Sequence, residues 1–106
     1  MIGGLVISGS AEKEVYVRAI GPSLDGIANR LSDPVLKMVP DGGSELLLDD
    51  WMDSTQAVRI TDLGLPPTDE KEAAELYQVS SGIYTFQVSS ADNTPGVALL
   101  ELFEVQ

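Results

Sequence analysis

The chain has 106 residues, of which 17 are acidic, six are basic and none is histidine, and its formal net charge is −11. This charge opposes binding to nucleic-acid phosphates, and the lack of histidine and cysteine excludes disulfides, thiolate nucleophiles, zinc sites and a Ser-His-Asp triad. A hydrophobic fraction of 43% indicates a folded core, and we assign residues 1–106 to a single β-sandwich domain.

The first strand is predicted at residues 2–8, a largely apolar run. Residues 14–20 are rich in β-forming residues, and the polar segment 9–13 predicts a turn, so the two strands are expected to form a hairpin. Side chains alternate between the two faces of a strand, which places Val15 on one face of the second strand and Arg18 on the other.

A loop is predicted at residues 21–34, because Gly-Pro-Ser ends the second strand, and one helical turn is expected within it. Residues 35–39 and 44–48 are strand-like and flank Pro-Asp-Gly-Gly at 40–43, a sequence that favours a tight turn. This pattern predicts a hairpin. The acidic residues that follow predict a loop, and a short helix is expected around residues 55–61.

Three further strands are predicted in the last third of the chain. They cover residues 72–79, 83–88 and 97–105, with Ser-Ser-Gly at 80–82 and an Ala-Asp-Asn-Thr-Pro-Gly loop at 91–96 as the connections. Short strands separated by Gly, Pro and Asp turns are typical of an all-β fold. We therefore predict an antiparallel β-sandwich of about seven to eight strands with one short helix.

Several longer segments together resemble a known type of bacterial domain. In chain order they are Ile2-Gly-Gly-Leu-Val-Ile-Ser-Gly9, Val17-Arg-Ala-Ile-Gly-Pro-Ser-Leu24, Leu31-Ser-Asp-Pro-Val-Leu36, Asp49-Asp-Trp51, Leu65-Pro-Pro-Thr-Asp69, Glu72-Ala-Ala74, Ser81-Gly-Ile-Tyr-Thr85 and Gly96-Val-Ala-Leu-Leu-Glu-Leu102. The chain resembles, over nearly its whole length, the "VRAIGPSL" type of domain of large secreted or surface-attached proteins of environmental bacteria. In outline it is also similar to bacterial pre-peptidase C-terminal sandwich domains.

The resemblance implies an extracellular or cell-surface module of accessory or adhesion-like character, and it supplies no catalytic residues. Members of the family continue upstream of the Ile-Gly-Gly strand and sit in longer polypeptides. The chain is therefore expected to be either an excised domain or a stand-alone subunit.

Asp49, Asp50 and Asp53, with Asp41 nearby, are candidate ligands for calcium, which takes six to eight oxygen ligands. Their spacing is not that of an EF-hand, and the alternative is that they are solvated carboxylates of a strongly acidic chain. Trp51 beside them either stacks on a sugar ring or fills the core.

Arg18 is expected to be partly buried and therefore to need a carboxylate partner, with Asp50, Glu72 and Glu101 as the candidates. Glu101 lies within the apolar last strand, so we predict a structural ion pair between Arg18 and Glu101. Two carboxylates alone can hydrolyse a glycoside. Nothing in the sequence places such a pair in a cleft, and no enzymatic activity is expected.

The first and last strands are long and apolar, and open sheet edges of this kind pair with strands from other chains. The residues expected at these edges are Ile2, Leu5, Ile7, Val97, Leu99 and Phe103. We expect a non-enzymatic structural or interaction module, with copies of itself in a homo-oligomer or filament, or neighbouring domains of a larger surface protein, as partners. Neither nucleic acid nor membrane insertion is expected.

The alternative function is a carbohydrate- or calcium-dependent binding module that accompanies a secreted hydrolase. It requires an exposed Trp51 on one flat surface with Tyr16, Tyr77 or Tyr84.

Overall fold

A computed structural model describes residues 2–7 and 12–105. The strands are β1 (Ile2–Ile7), β2 (Lys13–Ile20), β3 (Pro34–Pro40), β4 (Leu46–Leu48), β5 (Ala73–Val79), β6 (Gly82–Ser90) and β7 (Leu99–Val105). The helices are a 3₁₀ helix (Trp51–Asp53) and α1 (Ala57–Asp62). The side chains of Ile2 and Leu5, two of the expected edge residues, lie outside the described part, as does most of the turn predicted at 9–13.

The strands form two antiparallel sheets. One sheet has four strands in the order β1-β6-β3-β4, and the other has three in the order β5-β2-β7. The predicted all-β sandwich with one short α-helix is therefore confirmed. The predicted hairpin at residues 35–48 is also confirmed, since Leu36 lies opposite Leu48 and Met38 opposite Leu46. Its turn uses Gly42 at a φ of +75°, a conformation that favours glycine.

The predicted hairpin of the first two strands is wrong. β1 pairs with β6, with Val6 opposite Ile83, whereas β2 lies in the other sheet between β5 and β7. The apolar pattern identifies which face of each strand is buried, and in a sandwich both sheets turn such a face toward the same core. Periodicity therefore does not reveal that consecutive strands belong to different sheets.

The last strand begins two residues later than predicted, at Leu99. Val97 forms an isolated bridge with Arg30 instead, donating its N–H to the Asn29 carbonyl at 2.6 Å and accepting the Leu31 N–H at 2.8 Å. These bonds hold the loop at residues 21–33, which contains turns but not the expected helical turn. The loop is fixed by contacts with distant residues, not by local helical bonds.

Two hydrophobic clusters stabilise the sandwich. The first lies between the sheets and includes Val15, Val17, Leu36, Tyr77 and Phe86, all buried. The second lies on the outer face of the three-stranded sheet, where α1 covers it. Its members are Tyr16, Ile60, Ala74 and Leu76, with the partly buried Trp51, Leu63, Phe103 and Val105 packed against them.

Candidate functional site

β1 is an edge strand of the four-stranded sheet. Among the described residues β1 pairs with β6 alone, so its other side is a free edge. Ile7 is buried in the main cluster, and a Cβ on Gly3 would lie 2.9 Å from the Leu100 side chain, so these two positions face the three-stranded sheet. Val6, at 71% exposure, faces solvent beside Ile83 at 54%.

Neither β1 nor β6 contains a charged residue, although the chain carries 23 ionisable Asp, Glu, Lys and Arg side chains, 17 acidic and six basic. Natural sheet edges are commonly protected by charged residues, proline, bulges or very short strands. β1 has six residues, no charge and no proline. It therefore lacks the usual protection against pairing with another strand.

The other three edge strands are protected in the ways that β1 is not. β4 has only three residues and follows Glu45. β5 contains Glu75, and Glu72 just before it accepts the Trp51 N–H through its carbonyl at 2.9 Å. β7 contains Glu101 and Glu104. Protected edges of this kind resist strand addition.

The structure places the expected edge residues of the last strand differently. Val97 lies outside β7. Its backbone N–H and carbonyl are already hydrogen-bonded to the loop before β3, so they are not available to pair with another strand. Leu99 is 45% exposed at the start of β7, whereas Phe103 stacks on Tyr16 with ring centroids 5.9 Å apart. Ile7, expected at an assembly edge, is a core residue because it lies on the inward-facing side of β1.

The structure brings Asp49 and Asp50 together, but with Asp33 and not with Asp53. One carboxylate oxygen from each of Asp33, Asp49 and Asp50 lies within 4.8 Å of the others. Asp53 ends the 3₁₀ helix and is not part of this group. Asp33 was missed because it precedes β3, 16 residues before Asp49, and only the pairing of β3 with β4 brings the segments together.

Burial and neighbouring carboxylates disfavour the ionisation of Asp49 and Asp50. Asp49 is exposed as a whole residue, yet desolvation of its carboxyl group, together with the neighbouring Asp33 and Asp50, raises its pKa from 3.8 to about 6. Burial and the charge of Asp33 likewise raise the pKa of Asp50. One oxygen of Asp33 and one of Asp50 are buried without a hydrogen-bond partner. The cluster can hold a proton or a cation.

Glu72 is a fully buried carboxylate that joins two loops. Its Oε2 accepts the N–H of Gly21 at 2.9 Å, and the N–H and hydroxyl of Ser23 at 3.0 and 2.7 Å. Its Oε1 accepts the Asp69 N–H at 3.3 Å. In the sequence Glu72 was one of three candidate partners for Arg18, which pairs with Glu101 instead. No local sequence signal distinguishes it from the exposed Glu70 two residues earlier.

A cleft of about 780 Å³ is lined in part by Trp51, Arg30, Asp69 and Lys71. Trp51 is partly buried, packs against the second cluster and has its indole N–H buried without a partner. Tyr16 and Tyr77 are buried on opposite faces of the three-stranded sheet, Tyr16 beside Leu76 and Tyr77 beside Val15. Tyr84 packs against the main cluster, so none of the three tyrosines joins Trp51 on an exposed flat surface.

The structure places Arg18 and Glu101 opposite each other on β2 and β7. Arg18 Nε donates to Glu101 Oε1 at 2.8 Å, and Arg18 Nη1 donates to the Leu65 carbonyl at 2.9 Å. The guanidinium also lies 5.4 Å from the centre of the Phe103 ring. The pair ties β7 and the loop after α1 to β2, so its surroundings are those of a structural contact.

No helix in the described part of the chain combines the length and the apolar character needed to cross a bilayer. Comparison with protein-family models, curated proteins and solved structures found no match to this chain.

Proposed function

We propose that this chain is a non-enzymatic interaction module that joins other chains by β-strand addition at the β1 edge. The observation that carries the proposal is that β1 has no partner on one side among the described strands and, together with β6, carries no charged residue in a chain of net charge −11. Strand addition provides backbone hydrogen bonds along the edge, and side chains on alternate positions provide specificity.

Two features of β1 favour an incoming strand. Gly4 is exposed, and the nearest atom to a Cβ built on it is the Tyr84 carbonyl oxygen at 4.0 Å, so another strand meets no bulky side chain there. Val6 and Ile83 form an exposed apolar pair beside the edge. A partner strand would cover part of this apolar surface while pairing with the β1 backbone.

The extracellular or cell-surface setting is part of this proposal and rests on the resemblance to the "VRAIGPSL" type of domain. In that setting the module would space, anchor or assemble larger surface structures.

A peptide with the sequence of residues 2–7, carrying a fluorophore and a neutral Ser-Gly tail, tests the proposal. We expect it to bind the chain and to slow hydrogen exchange at the amides of β1. The same peptide with proline in place of the leucine that corresponds to Leu5 should not bind, because proline interrupts strand pairing. Absence of binding, or protection elsewhere with β1 unchanged, would contradict strand addition at this edge.

Two matched variants locate the binding surface. Val6→Glu and Val58→Glu make the same chemical change at residues that are 71% and 76% exposed, one on β1 and the other on α1. We expect Val6→Glu to weaken peptide binding, because a carboxylate protects an edge strand. Val58→Glu should leave binding unchanged, which separates the local effect from that of one added negative charge.

A second candidate function is a calcium-dependent binding module, and the two unpartnered oxygens in the group of Asp33, Asp49 and Asp50 favour it. Three carboxylates are suitable ligands for a hard cation. Titration calorimetry with calcium, and with magnesium for comparison, tests this function in the wild-type chain and in Asp33→Asn. Heat of binding that persists in the variant, or no heat in either protein, would argue against calcium at these residues.

A further inference from the structure

We infer that the strand which pairs with β1 is the β1 strand of a second copy, related to the first by a two-fold axis. This inference rests on the proposed function and names its partner. The resulting dimer would join two four-stranded sheets into one antiparallel sheet of eight strands. A two-fold contact uses the same surface patch on both copies and closes on itself, so it gives a dimer and not a filament.

Electrostatic repulsion between two acidic chains favours β1 as the place where two copies meet. Each copy carries a net charge of −11, so contacts that bring carboxylates together are repulsive. β5 contributes Glu75 to any pairing edge, and β4 lies between Glu45 and Asp49. β1 brings no charge to the contact, and neither does the neighbouring β6.

The strand that lies beneath β1 does not oppose this contact. Leu100 of β7 lies directly under Gly3, so β7 comes near the second copy as well. Its carboxylates are each paired within the chain, Glu101 with Arg18 at 2.8 Å and Glu104 with Lys13 at 2.9 Å. The two carboxylates of β7 are thus partly neutralised before two copies meet.

Side-chain alternation restricts how two β1 strands can align. In an antiparallel pair the residues directly opposite each other lie on the same face of the sheet. Gly3 and Ile7 of β1 face the core whereas Gly4 and Val6 face solvent, so residues of one parity must lie opposite residues of the same parity. The two-fold axis therefore lies midway between one residue and the same residue of the second copy, so one residue is opposite itself.

Only two alignments pair five residues of this six-residue strand under that restriction. With the axis at residue 4, residues 2–6 pair and Gly4 lies opposite its own copy. With the axis at residue 5, residues 3–7 pair and Gly4 lies opposite Val6 of the second copy. Both alignments make predictions for cysteine cross-links, and the chain contains no cysteine of its own.

Single-cysteine variants test the geometry. Gly4→Cys and Val6→Cys place thiols on the solvent face of β1, and Val58→Cys is the control on α1. Opposite positions in a strand pair have Cβ atoms about 4.5–5.5 Å apart, close to the distance that a disulfide requires. Under mild oxidation we expect a covalent dimer either from Gly4→Cys alone or from a mixture of Gly4→Cys with Val6→Cys, and no dimer from Val58→Cys.

Light scattering of the wild-type chain over a concentration series gives a readout that needs no substitution. We expect a monomer–dimer equilibrium whose dissociation constant rises about tenfold or more in Val6→Glu and stays unchanged in Val58→Glu. Added NaCl should strengthen the dimer, because salt screens the repulsion between two acidic chains.

Three results would overturn the inference. A monomer at all concentrations excludes a second copy as the partner, and the peptide experiment then decides separately whether β1 accepts any strand. Open-ended oligomers exclude the two-fold contact. A dimer that gives no cross-link through residues 4 and 6, or that survives Val6→Glu, places the interface elsewhere on the chain.

Discussion

Replacement of Glu72 should destabilise the fold more than replacement of any exposed acidic residue. Its side chain has no exposed surface and accepts four hydrogen bonds, from two backbone N–H groups and the hydroxyl of the Gly21–Ser23 segment and from the Asp69 N–H. Among the described residues no lysine or arginine forms an ion pair with it. Its charge is therefore stabilised by these donors alone.

The cost follows from these contacts. In Glu72→Gln the amide oxygen can still accept the bonds at Gly21 and Ser23, but these become neutral bonds and the amide NH₂ faces the Asp69 N–H. Bonds to charged groups contribute about 1 kcal/mol more than neutral ones. Three weakened bonds and the lost bond to Asp69 therefore give an expected loss of about 3–4 kcal/mol. Glu72→Ala leaves the donors unpaired in the interior and should cost about 4–5 kcal/mol.

Urea unfolding at pH 7 measures both losses. Glu70→Gln is the matched control, because it removes the same charge from an exposed position in the same segment. Its free energy of unfolding should change by no more than about 0.5 kcal/mol. If Glu72→Gln proves as stable as Glu70→Gln, the buried carboxylate does not hold the two loops together and the reasoning fails.

Three further changes test other parts of the structure. A Cβ at Gly21 would collide with the Leu31 carbonyl, so Gly21→Ala should lower the free energy of unfolding in urea by about 2–3 kcal/mol. Gly4→Ala should be nearly neutral, and equal stabilities of the two variants would contradict the crowding at Gly21. Because the pKa of Asp49 is raised from 3.8 to about 6, the folded state holds more protons between these values. Its contribution to the free energy of unfolding therefore falls as pH rises from about 4 to about 6. Asp49→Asn should remove this part of the pH profile and Asp53→Asn should not; identical profiles would refute the clustering. Arg18→Met leaves a partly buried carboxylate without its partner and should lower the free energy of unfolding by about 1–3 kcal/mol, with an unchanged unfolding midpoint as the contrary result.

The sequence predicts this fold where local chemistry decides the structure. Alternation along β2 correctly separates the inward Val15 from the outward Arg18, and Pro-Asp-Gly-Gly correctly predicts the β3–β4 turn. The pairing of β1 with β6 was not predictable in this way, because 75 residues separate the opposed Ile7 and Gly82. Alternation specifies a buried face but not the strand beside it.

The same limit applies to the candidate site. Asp49 and Asp50 are conspicuous in the sequence, but Asp33 joins them only through the hairpin that follows it. Glu72 shows the converse difficulty. Its partners are mostly backbone N–H groups, which every residue except proline possesses, so no residue type in the Gly21–Ser23 segment marks them in advance.

The distribution of charge connects the fold to the proposed assembly. A net charge of −11 disfavours compact association of identical chains, so a surface that brings copies together must have little charge of its own. Among the described edge strands longer than three residues, β1 meets this condition without an internal ion pair, whereas the two carboxylates of β7 are only partly neutralised by Arg18 and Lys13. Charge elsewhere then acts as specificity, because it raises the energy of contacts at β4 and β5 more than that of a contact at β1. The acidic surface therefore influences which edges associate even though none of it lies in the β1 contact.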